Sequence, residues 1–128
     1  MRGNPAGLFA LAVIFLVLPA SALAHHGSAS FDTKEVTLQG TITEFDWSNP
    51  HTEIYFDVKE SNGKVVHWGC ETLSPAKLKR SGWDRNIVKP GDMVTIEMVA
   101  ARNGTPVGYL HKLVLPDGRM FNVDEQRQ

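Results

Sequence analysis

Two adjacent histidines, His25 and His26, follow directly on the tripeptide Ala22-Leu23-Ala24. Cleavage after Ala24 would make His25 the first residue of the working chain, with a free α-amine whose ordinary pKa is about 7.7–8.0. A metal ion can displace that proton near neutral pH. The amine nitrogen and the His25 imidazole then close one chelate ring on the same ion. Alternatively, the amine, the deprotonated amide of His26 and the His26 imidazole take Cu(II) in a square plane. Tetragonal nitrogen sites favour Cu(II) or Ni(II), and copper heads the divalent affinity order. Copper is therefore the expected cofactor, against the alternative of a solvated polar start without a metal role.

A third nitrogen must come from the fold. Joined to the amine and His25, it gives a T-shaped set similar to the histidine brace of certain copper proteins. His51, after Asn49-Pro50, is the first candidate; His67 and His111 are the others. Each imidazole needs a hydrogen-bond partner on its other ring nitrogen to fix its tautomer, and Glu53, Asp57 and Glu71 are candidates. His67 and Cys70 differ by an odd number of positions along one expected strand, so they point to opposite faces and cannot pair as thiol and base. The chain has no G-x-S-x-G, H-E-x-x-H, P-loop or Cys-x-x-Cys sequence, so no catalysis is expected.

The compartment follows from the first 24 residues. Arg2 is the only charge before Asp32, Leu8 to Leu18 is a continuous apolar run, and Pro19 and small residues lead to the cut. That order is a secretory signal peptide, and the run is shorter than the roughly 20 residues of a membrane span. Export to the periplasm, with no membrane attachment after cleavage, is the expectation. The remaining 104 residues suit one small domain. Without Arg2 they carry twelve basic and fourteen acidic side chains. That balance lacks the basic patch that phosphate backbones select, so no nucleic-acid partner is expected. A lone cysteine, Cys70, makes no internal disulfide.

The elements that must position these groups read as strands. Residues 25–34 read as a mobile arm, 35–123 as the folded domain and 124–128 as a frayed tail. Val36, Leu38 and Ile42 share one face of a strand, on which Gly40 suggests a close approach. Phe45 and Trp47 fall on the opposite parity, which a bulge near Glu44 explains. Ile54, Phe56 and Val58 alternate inward on a second strand; Asn62-Gly63 turns into a third, where Val66, Trp68 and Cys70 share a face. Ser74-Pro75 starts a short helix and Gly82 ends it. Val94, Ile96 and Met98 mark the next strand, Asn103-Gly104 a hairpin, and residues 107–115 and 120–123 the last strands. Closing such a sheet removes its edges, and a helix between strands three and four is where an OB-fold barrel carries its cap. The expected fold is all-β with one short helix, a small OB-like barrel of five to six strands; an open sandwich is the alternative. On such a barrel, exposed Phe45, Trp47 or Tyr55 would offer stacking surfaces.

His25-His26-Gly27-Ser28, Val36-Thr37-Leu38-Gln39-Gly40-Thr41-Ile42 and Ser48-Asn49-Pro50-His51 together resemble a family of small exported bacterial proteins classed as a domain of unknown function. Ser74-Pro75, Gly82-Trp83, Ile87-Val88-Lys89-Pro90-Gly91-Asp92 and Leu115-Pro116-Asp117-Gly118-Arg119 extend the resemblance over about residues 25–123. The resemblance implies export to a Gram-negative periplasm and brings no activity or site residues. The functional expectation is a periplasmic metal-binding protein, copper foremost. The alternative is a non-catalytic OB-like module that binds a small ligand or another envelope protein.

Overall fold

Period-two patterning becomes a closed barrel because each strand has one apolar face to hide. The computed structural model describes residues 31–123. The strands are β1 (Phe31–Asp46), β2 (Glu53–Lys59), β3 (Val65–Glu71), β4 (Met93–Ala101), β5 (Val107–Val114) and β6 (Met120–Asn122), with helix α1 (Pro75–Arg80) between β3 and β4. The sheet order is β3-β2-β1-β4-β5-β6, and a parallel pairing of β3 with β5 closes the first five strands into a barrel. β6 is an extra strand on β5. This is the expected OB-like architecture. Within the stretch 25–34 expected to be an arm, β1 already begins at Phe31. The expected leader, His25, His26 and the expected tail from 124 lie outside the described residues.

The long β1 serves two neighbours in turn, pairing with β4 up to Thr41 and with β2 from Thr41 onward. The changeover needs a tight backbone. A Cβ added at Gly40 would lie 2.7 Å from the Phe56 ring and 2.8 Å from the Asp57 carbonyl oxygen. Just beyond, the register with β2 shifts between Ile42 and Glu44. That bulge carries Thr43 and Glu44 both outward and returns Phe45 to the packed side.

Ile42, Ile54, Phe56, Ile96, Met98, Leu110 and Leu113 fill the barrel with essentially no solvent exposure. Helix α1 has a single buried residue, Leu78. Ser74 is the N-cap and Pro75 opens the first turn, where a missing N–H costs nothing. Gly82 then takes a positive φ of 85°, and Trp83, buried, packs edge-on against Phe121 of β6. The core holds Cys70 as a buried free thiol.

A second bulge sits on β5. Glu97 pairs with Lys112 but Met98 pairs with Leu110, so His111 is the extra residue. Leu110 and Leu113 both face the core, which leaves His111 and Lys112 consecutive on the outside.

Candidate functional site

The three histidines of the described residues sit on three different elements, and each has its Nδ1 against a carboxylate. His51, in the turn before β2, lies 2.5 Å from Oε1 of Glu71 at the end of β3. His67 on β3 lies 2.5 Å from Oδ1 of Asp57, its direct cross-strand neighbour on β2. His111 lies 2.6 Å from Oε1 of Glu35 on β1. A carboxylate only accepts, so in each neutral ring the proton sits on Nδ1 and Nε2 is left as a lone-pair donor. That is the orientation in which a ring nitrogen takes a metal. Asp57 and Glu71 do what the alternation pattern suggested for them. Glu53 instead accepts the Tyr55 hydroxyl. Glu35 was not legible as a partner, because it meets His111 only where β1 and β5 flank β4.

The three imidazoles are not gathered into one shell. Among the described residues no group of three or more His, Cys, Asp or Glu side chains could hold a metal ion. His67 sits level with Asp57, four residues along the ladder from Glu71, or roughly 13 Å at strand rise. Glu71, Tyr109, Val99 and Glu35 form one row across β3, β5, β4 and β1. Three strand spacings along the curved wall separate its ends. His51 and His111 therefore belong to separate stretches of wall. His25 and His26, outside the described residues, have no assigned position.

His51 meets Glu71, which lines a concavity in the barrel wall. A cavity of about 500 Å³ opens over the outer face of β2 and β3, lined by Glu53, Tyr55, Gly69 and Glu71. Its far wall is the β4–β5 hairpin, with Ala101, Asn103, Thr105 and Val107. The Tyr55 ring lies next to Gly69, where an added Cβ would make ordinary contact at 3.4 Å from Tyr55 Cε1. Tyr55 keeps 36% of its surface exposed, whereas Phe45 and Trp47 pack against the core, so Tyr55 is the accessible aromatic of the three. The hydrogen bond to Glu53 raises the Tyr55 hydroxyl from the usual phenol value to about 12, with burial and the charges of Glu53, Glu44 and Asp46 adding to the rise. Cys70 reaches the cavity only from beneath; burial first, and Glu71 second, push its thiol far above the ordinary range. It is neither an accessible nucleophile nor a ready thiolate ligand.

The chain entry meets this cavity too. Phe31 pairs with Ala101, a residue of the far wall. His25 is six residues before Phe31, a span that covers at most about 20 Å.

Two crystal structures of the mitochondrial single-stranded DNA-binding protein Rim1 of S. cerevisiae resemble the fold at 15% identity. One superposes with a TM-score of 0.51 over 66% of this chain and 95% of that one. The other gives 0.50 over 73% and 100%. This likeness establishes the barrel. It also corrects the expectation of no nucleic-acid partner. That expectation rested on net charge, yet a barrel of this kind serves the single-stranded DNA-binding protein Rim1. Net charge averages over a whole surface and does not decide what one face binds. No curated protein sequence matches the chain. The profile of a family of unknown function (DUF6152) matches residues 13–110, most of the chain, and the protein is a member of that family.

Proposed function

We propose that this is an exported bacterial protein of the periplasm that binds one copper ion through the amine and imidazole of His25, with Nε2 of His51 as the third nitrogen. The observation that carries the reading is the His51–Glu71 pair. Its 2.5 Å contact holds the ring by Nδ1 and leaves Nε2 as a lone-pair donor. Glu71, which holds the ring, lines the cavity whose opposite wall receives the chain at Phe31. The six residues upstream of Phe31 are enough chain for His25 to return to it. His67 and His111 carry the same Nδ1 arrangement. Their carboxylates, Asp57 and Glu35, do not line that cavity, and His26 is the alternative donor in a square-planar chelate. The role is one of holding or delivering the ion rather than catalysis.

The test is copper titration of protein beginning at His25. About one equivalent of Cu(II) with nitrogen-only magnetic-resonance features is expected. One added N-terminal methionine should abolish it, and His51→Ala should weaken it while His67→Ala does not. Glu71→Gln should cost about 10- to 100-fold in affinity, as loss of an outer-shell partner does. Equal binding by the methionine-extended and native-start chains would end the proposal.

A further inference from the structure

We propose that the cavity over β2 and β3 is a binding site for a small organic cation, an ammonium group carried on a compact apolar body. Its volume of about 500 Å³ falls in the range of small-molecule sites. Its walls divide by chemistry. Tyr55, Gly69, Ala101 and Val107 supply an aromatic face and an apolar surround. Val107, 44% exposed, is an apolar side chain that nothing among the described residues covers fully.

The charged part of the wall is of one sign. Glu53 and Glu71 both line the cavity and are direct cross-strand partners, with no Lys or Arg among the lining residues. Glu71 meets the His51 ring, which offsets its charge only when protonated, and Glu53 accepts the neutral Tyr55 hydroxyl; like charges directly opposite on neighbouring strands destabilise a sheet. A cation placed between them relieves that repulsion. The same cation lies against the Tyr55 ring, where an aromatic face attracts positive charge. The Tyr55 hydroxyl already donates to Glu53, so the phenol oxygen presents a lone pair rather than a proton. The hydrogen bond to Glu53 and then burial account for most of the rise of the Tyr55 hydroxyl to about 12, and the charges of Glu53, Glu44 and Asp46 add to it. On the hairpin wall, Asn103 Oδ1 is occupied by the backbone N–H and hydroxyl of Thr105, so the loop is braced in place.

The site does not depend on His25 and survives failure of the copper reading. The experiment therefore uses the chain from His25 with one added methionine, which lacks the chelating terminus. Choline is titrated against ¹⁵N-labelled protein, with its uncharged isostere 3,3-dimethylbutanol and with Mg²⁺ in parallel. Choline should produce saturable shifts at Tyr55, Gly69 and Val107, and the other two should not. Glu53→Gln and Tyr55→Leu should each weaken choline at least fivefold with amide dispersion elsewhere unchanged. Equal shifts with the alcohol would reduce the cavity to a nonspecific apolar dent. Equal shifts with Mg²⁺ would reduce it to a diffuse ion field. Either result, or no saturation, overturns the proposal, and neither control requires a variant to fold.

Discussion

His111 Nδ1 lies 2.6 Å from Glu35 Oε1, a contact between residues 76 positions apart that ties the bulge of β5 to the first strand of the barrel. The bulge is what turns this imidazole outward next to Lys112, and β1 is what brings the carboxylate. The same pairing of a ring Nδ1 with a carboxylate recurs at His51 and His67 on unrelated elements.

All three neutral rings should therefore be Nδ1–H tautomers. Two-bond ¹H–¹⁵N correlation spectra of the imidazoles distinguish the two nitrogens directly. Glu71→Gln should release His51 alone, and Glu35→Gln His111 alone. These are half-exposed pairs, so each substitution should change stability by less than about 1 kcal/mol. Predominant Nε2–H rings in the parent protein would remove the basis for ligation through Nε2.

Cys70 sets an alkaline limit on stability. Its thiol is pushed up by burial, with Glu71 adding to the rise, while the unfolded chain ionises it from about pH 8.5. Above that point the unfolded state has lost a proton that the folded state keeps. Folding stability is then fully present below about pH 8.5 and declines as pH rises, by up to about 1.4 kcal/mol per unit. Urea unfolding at pH 7, 9 and 10 should show this slope, and Cys70→Ala should flatten it. A thiol reagent should label the native protein only at the rate of unfolding.

Tyr55 gives a spectroscopic readout of the cavity wall. The difference between parent and Tyr55→Phe in phenolate absorbance should titrate at about 12. Because the hydrogen bond to Glu53 is the largest cause, Glu53→Gln should bring it back toward the ordinary phenol value of about 10. An unchanged titration in that variant would mean that Glu53 does not hold the hydroxyl.

Gly40 marks where β1 passes from one neighbour to the other. Alanine there meets the Phe56 ring at 2.7 Å and, less forgivingly, the Asp57 carbonyl at 2.8 Å. Overpacking of this kind costs about 1–3 kcal/mol. For a domain of this size each kcal/mol lowers the melting temperature by about 4–8 °C. Gly40→Ala should show that loss in calorimetry. If it melts with the parent, the strands separate more easily at the changeover than the geometry implies.

Much of the fold was present in local pattern. The inward alternation of Ile54 and Phe56, the Ser74-Pro75 helix start, Gly82 beyond its end, and the parity slip at Phe45 all report geometry within a few residues, where propensity and period act. So does the pair His25-His26 after Ala24, a property of order along the chain. What the tertiary structure decided is everything that depends on which strand lies beside which. The parallel contact of β3 with β5 closes the barrel and sets Glu71 beside Tyr109. The bulge at His111 breaks the alternation where no turn residue announces it. Glu35 finds His111, and the β4–β5 hairpin comes over β2 and β3 to enclose the cavity. Such pairings are selected by total burial around a closed sheet, so no window of sequence contains them.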